Sequence, residues 1–253
     1  MEPRDVLENP YFYLAAIPAV FLTGISKGGF GGVALLAVPL MSLVISPLQA
    51  AGIMLPLLVL MDGFSVWAYR RDLSFRNLKS LLPGAAVGIF VGWLMAEVTS
   101  EDAVRLIVGV IAIVFTIYMV VFRRAAAGMP PHAGKGFFWG GCAGYTSYVA
   151  HAGSPPLQVY LLPQRLPKVE YAATAVLFFA VVNLIKIPPY FLTGQLAFEN
   201  LATALMLAPL VPAGVYVGVR LNKAVSEKVF YNIVYAAAFL IGIKLIYDVV
   251  APA

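Results

Sequence analysis

Apolar residues run in long blocks along this chain, not in the one-sided stripes of a water-facing domain. Positions 50–69, 77–96, 104–122, 171–192, 201–219 and 229–247 each approach or exceed the roughly 17–25 residues that carry a helix across hydrocarbon. Two further stretches, 11–45 and 136–162, are equally apolar but interrupted by Gly, Pro and Ser. About eight hydrophobic regions are therefore predicted, and up to ten helical segments if the first and fifth regions are broken, re-entrant hairpins. The alternating segments of about ten residues that a transmembrane β-barrel needs are missing. The pattern predicts an all-α polytopic membrane protein.

Composition agrees. Of 253 residues, 61% are hydrophobic and only 11% charged, against about 25% charged in soluble domains. The single cysteine, Cys142, excludes an intrachain disulfide and a cysteine-based metal cluster. With just two histidines, His132 and His151, no metal or other cofactor is expected. The formal charge of +5 does not point to nucleic acid, because the basic residues sit at the ends of spans. Met1-Glu2-Pro3-Arg4-Asp5 lacks a basic leader region, so no cleavable signal is expected.

The links between blocks divide sharply by charge. Arg70, Arg71, Arg76, Lys79, Arg123, Arg124, Lys135, Arg165, Lys168, Arg220, Lys223 and Lys228 make 12 of the 17 basic residues, and all fall in four links. Links 46–49, 97–105 and 193–199 are poor in base. The positive-inside rule makes the first group cytoplasmic. That assignment requires each broken region to enter the membrane and return on the same side, leaving both termini outside.

The halves also repeat. Leu73-Ser74-Phe75-Arg76-Asn77-Leu78 parallels Leu196-Ala197-Phe198-Glu199-Asn200-Leu201, and Gly84 and Gly88 parallel Gly214 and Gly218. The charge map puts matched links on opposite faces, which is the signature of an inverted-repeat transporter. The first repeat is expected at 1–125, a cytoplasmic linker at 126–134, and the second repeat at 135–253.

Candidate chemistry gathers in the two breaks. Gly24-Ile25-Ser26-Lys27-Gly28-Gly29-Phe30-Gly31-Gly32 holds five glycines in nine positions, each costing about 1 kcal/mol in a helix relative to Ala. Backbone N–H groups freed there can converge on an anion, and Lys27 adds a full positive charge. The second break offers Thr146, Ser147, His151, Ser154 and Gln158 as polar lining, with Ser154 as a candidate N-cap before Pro155. Ser26, Lys27, Gly28, Gly29, Gly31 and Gly32 with these five form the candidate anion site. Taken singly, the glycines also suit close helix packing. Asp62 is the one carboxylate deep within a span, with Asn183 near its repeat-equivalent position and Lys186 just beyond. Asp62, His151, Asn183 and Lys186 are candidates for proton coupling or the pathway. Pro188-Pro189 is expected to end its helix. Lys244 and Asp248 form an i,i+4 pair.

The Gly24–Gly32 run, Pro39-Leu40, Pro56, Asp62, Pro83-Gly84, Gly88 and Gly92 resemble the sulfite exporter TauE/SafE family of membrane permeases over nearly the whole chain. The second half departs from a Gly-rich copy, having His151 and Ser154-Pro155-Pro156 instead. The resemblance implies a secondary transporter in a bacterial or archaeal plasma membrane, exporting sulfite or an organosulfonate such as sulfoacetate. Independently, Lys27 and the exposed N–H groups point to an anion bound near the midplane and moved by alternating access. An anion channel, or a uniporter for another small oxyanion or carboxylate, fits the same residues. An enzyme does not, for want of a nucleophile–base pair or paired carboxylates. The expected partners are a small anion and the lipid bilayer, with no nucleic acid; a homodimer is compatible with the sequence.

Overall fold

The computed structural model describes residues 9–27, 33–70, 75–96, 98–122, 130–224 and 227–251. All regular structure among them is helical. In chain order the α-helices are α1 (Pro10–Lys27), α2 (Ala37–Met41), α3 (Pro47–Tyr69), α4 (Leu78–Ala96), α5 (Glu101–Phe122) and α6 (Ala133–Ala150). There follow α7 (Ser154–Leu161), α8 (Lys168–Leu192), α9 (Phe198–Leu207), α10 (Leu210–Ala224) and α11 (Glu227–Val250). Short 3-10 turns at Val33–Leu36 and Leu162–Gln164 adjoin α2 and α7.

Local chemistry sets the starts. Ser46 caps α3 by accepting from Gln49 N–H at 3.2 Å, with Pro47 at the first position, where its missing donor costs nothing. The Ser100 hydroxyl accepts from Ala103 N–H at 3.2 Å, and Glu101 and Asp102 favour the positive end of α5. His132 caps α6 through its ring, accepting from Lys135 N–H at 3.3 Å. That gives the linker histidine a structural task.

Among the described residues, three helices are long and apolar enough to cross a membrane: Pro47–Trp67, Leu78–Ala96 and Val169–Leu192. A bent pair, Phe198–Leu207 with Leu210–Val217 at 49°, makes a fourth. The continuous span expected at 201–219 is therefore broken. Pro209 lies at the break, where it has no N–H to give and crowds the turn before it. The expected stop at Pro188-Pro189 is also corrected. Helix α8 continues to Leu192 and ends where Gly194 takes φ +74°, with Gln195 N–H returning to Tyr190 O at 2.9 Å.

Of the two interrupted stretches, the second is a broken helix, and in the first the described residues are two helical arms on either side of 28–32. The first is α1 followed by the short turn and α2; the second is α6, a left-handed His151 at φ 51°, and then α7. Gly153, not Ser154, is the N-cap of α7, and Ser154 opens the helix without a side-chain cap bond.

The helices pack in a reciprocal pattern: α1 lies against α10 and α6 against α4, while α3 meets α8 and α5 meets α11. The α4–α6 contact is nearly backbone to backbone. A Cβ at Gly84 would come within 2.0 Å of Phe137 O, and one at Gly88 within 2.0 Å of Gly141 O. Small residues permit this approach where lipid supplies no hydrophobic drive. Gly88→Ala should lower stability by about 1–3 kcal/mol. Gly63→Ala, which meets nothing within 4 Å, should be neutral or raise it by up to about 1 kcal/mol. Thermal melts of the two variants in detergent check this; equal effects would contradict the packing.

Candidate inner cavity and its buried charges

A cavity of about 460 Å³ is walled by α1, α3, the second broken segment and α8, with Ser26, Lys27, Ser147, His151, Ser154, Gln158 and Asn183 on its lining. Tyr69, Arg165 and Leu166 also border it, at the ends of helices that lead to the base-rich links. A second cavity of about 590 Å³ lies against the base-poor links, lined by Ser46, Gln49, Thr193, Gln195, Glu199 and Asn200 among others. It is the larger of the two, but among the described residues it has no basic side chain on its wall and carries a glutamate. Charge therefore favours the smaller cavity for an anion.

Its head is a network of buried charges. The Lys27 ammonium, at the last position of α1, pairs with the Asp62 carboxylate of α3. The other carboxylate oxygen of Asp62 accepts from Asn183 Nδ2 of α8 at 2.5 Å. Lys27 Nζ also lies 5.6 Å from the centre of the Phe179 ring. One turn beyond Asn183, Lys186 is fully enclosed. Its Nζ donates to Ser147 O at 3.1 Å and contacts Ser147 Oγ at 3.1 Å and His151 Nδ1 at 2.6 Å. His151 Nε2 sits 2.9 Å from Ala51 O. A carbonyl can only accept, so the ring proton is on Nε2 and Nδ1 is free to accept from Lys186.

His151 holds this position at a cost. Its φ of 51° is a left-handed conformation that a non-glycine residue adopts at about 1–2 kcal/mol. It ends α6 as glycine usually does, with Ala152 N–H reaching back to Thr146 O at 3.1 Å. The imidazole is thereby thrown across to α3 and α8.

The structure brings together Ser26, Lys27, Asp62, Ser147, His151, Ser154, Gln158, Asn183 and Lys186. It does not bring Thr146 to the cavity, because its hydroxyl turns back to Cys142 O at 2.8 Å within its own helix. Gly28, Gly29, Gly31 and Gly32 lie outside the described residues. Sequence reasoning missed Tyr190 and Tyr148. Tyr190 is fully buried and donates to Tyr148 O at 2.5 Å, with the two rings edge to face at 5.2 Å. Along α8 it falls between the Lys186 cluster and the second cavity. Its one sequence signal was a hydroxyl directly after the double proline, in a span otherwise apolar there. Lys244 and Asp248 do form their i,i+4 pair, on the exposed side of α11.

With Cys142 first replaced by Ala, Ser154→Cys should react with a small aqueous thiol reagent, while Tyr190→Cys should stay protected. Equal labelling would contradict a cavity that stops short of Tyr190.

The family model described as sulfite exporter TauE/SafE matches residues 16–245 of the chain. No curated protein and no solved structure matches.

Proposed function

Because the chain belongs to the sulfite exporter TauE/SafE family, whose members are transporters and not enzymes, we propose that it exports a small sulfur-containing anion, sulfite or an organosulfonate. It is a multi-pass membrane protein, and the anion site is the cavity headed by Lys27. The observation that carries this reading is the convergence of Lys27, Lys186, Asn183, His151 and two serines at the closed end of one cavity in otherwise apolar surroundings. Sulfite and sulfonates each carry three acceptor oxygens and suit such a set of donors. Lys27 binds the anion as Asp62 yields it, with Ser26, Ser147, Ser154 and Gln158 as further contacts.

Alternating access fits better than a channel. Along α8, Lys186 and Tyr190, which fall between the two cavities, are wholly enclosed, as the closed barrier of an alternating-access carrier would be. The reciprocal packing supports an inverted repeat: exchanging the halves 1–125 and 135–253 turns the α1–α10 contact into α6–α4, and maps α3–α8 and α5–α11 onto themselves. In this arrangement the eight hydrophobic regions form two oppositely oriented units. The Lys27 cavity faces the cytoplasm, both termini face outside, and the bilayer is a bacterial or archaeal plasma membrane. Export of an anion then runs with the membrane potential, worth about 2.3 kcal/mol per charge at 100 mV.

Reconstituted liposomes loaded with labelled sulfite test the proposal. Saturable flux that sulfonates inhibit, reduced at least about tenfold by Lys27→Met through loss of a buried charge contact, is the expected result. Normal flux in Lys27→Met would remove that residue from the site. Absence of flux for sulfite, sulfoacetate, sulfate and acetate alike would overturn the anion reading.

A further inference from the structure

The two cavities differ in the sign of their charge, and one position of the sequence repeat marks the difference. In Leu73-Ser74-Phe75-Arg76-Asn77-Leu78 and its counterpart Leu196-Ala197-Phe198-Glu199-Asn200-Leu201, the fourth residue is a base in one copy and an acid in the other. Both side chains are exposed, Arg76 just ahead of α4 and Glu199 in the first turn of α9. A carboxylate suits the positive end of a helix and a guanidinium does not. The sign therefore follows the side of the molecule and not the needs of the helix.

Glu199 lies on the wall of the second cavity, where no basic side chain appears among the described residues. Donors on the same wall turn to protein oxygens. The Thr193 hydroxyl donates to Pro189 O at 2.8 Å, so its oxygen is left to accept from Gln195 Nε2 at 3.1 Å. Asn200 Nδ2 donates to Gln195 O at 2.8 Å. This order leaves Gln195 Oε1, an acceptor, buried without a hydrogen-bond partner. An anion meets a carboxylate and an idle acceptor here, whereas the first cavity offers it Lys27 and Arg165.

We infer that Glu199 makes the second cavity a release face: it speeds the anion off the outer side and keeps external anions from reloading the carrier. The inference rests on the export reading above and adds to it a specificity-determining residue outside the Lys27 site, with which the second cavity shares no lining residue. Glu199 acts through its field. A unit charge beside a wet cavity changes anion occupancy about three- to tenfold within a Debye length, roughly 10 Å at 0.1 M salt. No carrier shifts the equilibrium across its membrane, so Glu199 alters which face holds the anion tightly and not how far transport runs.

The test follows labelled sulfite leaving right-side-out vesicles of expressing cells as unlabelled sulfite is added outside. Inverted vesicles present the Lys27 cavity to the added anion, and vesicles from non-expressing cells give the background. The quantity read is the added concentration that gives half the maximal change in flux. At low ionic strength the unmodified protein should need at least about threefold more sulfite on the outer face than on the Lys27 face. Glu199→Gln should lower the outer value about three- to tenfold, Glu199→Lys should lower it further, and Glu199→Asp should keep it. None should move the value at the Lys27 face. In about 0.5 M choline chloride the variants should converge, because salt screens an exposed charge. A role confined to stabilising α9 would give no such convergence.

Equal values on the two faces of the unmodified protein would overturn the inference while leaving export standing, and would do so even if no variant folded. So would an unchanged outer value in Glu199→Gln and Glu199→Lys, or a shift that persists in high salt. Absence of sulfite flux above background would overturn the transport reading and this inference with it.

Discussion

A lysine ammonium inside a membrane domain must find acceptors, or the helix that carries it is expelled from hydrocarbon at about 2.5–3.5 kcal/mol. Here Lys27 and Lys186 meet that requirement in two ways. Lys27 pairs with Asp62, and Lys186 is surrounded by oxygen and nitrogen acceptors from α6 and the break that follows it. These bonds tie α1 to α3, α3 to α8, and α8 to α6, so the interior of the molecule is organised around them. Breaking one partner of such a set leaves a bare buried charge, typically at 3–5 kcal/mol. The same cost makes the network a switch. An arriving anion is a better partner for a lysine than no partner, and it competes with Asp62 for the same ammonium.

Several features trade stability for this geometry. His151 accepts a left-handed backbone so that its ring can bridge Ala51 O and Lys186. Helix α8 runs through two adjacent prolines, losing two backbone donors, and still carries Tyr190 into the interior beyond them. Glycines at 84, 88, 140 and 144 forgo side chains so that α4 and α6 can touch. The first of these features borders the cavity, and the third fixes the helix from which Ser147 and His151 project.

Much of the fold was legible because hydrocarbon imposes simple rules. Long apolar blocks announced helices, and clustered Gly, Ser and Pro announced the break at His151. Asp62 and Asn183 stood out as polar residues in apolar spans, and the structure joins them by a hydrogen bond. The pairing itself was not legible: nothing in a linear pattern says that Asp62 faces Lys27 and not Lys186. Helix ends were misread where tertiary contacts outweighed local preference, as at Pro188-Pro189. Thr146 was misread because a hydroxyl in a helix can satisfy itself on the turn before. Tyr190 escaped notice because tyrosines near span ends ordinarily belong to the interface, whereas this one is turned inward.

The central claim is that an anion binds at the head of the Lys27 cavity in place of part of the Lys27–Asp62 pairing. A structure determined with bound selenite, a heavier analogue of sulfite whose selenium scatters anomalously, tests it most directly. The account predicts one anomalous peak within hydrogen-bonding reach of Lys27, bordered by Ser154 and His151, with Asp62 drawn away from the ammonium. A peak instead among Thr193, Gln195 and Asn200, with the Lys27–Asp62 pair intact, would contradict it.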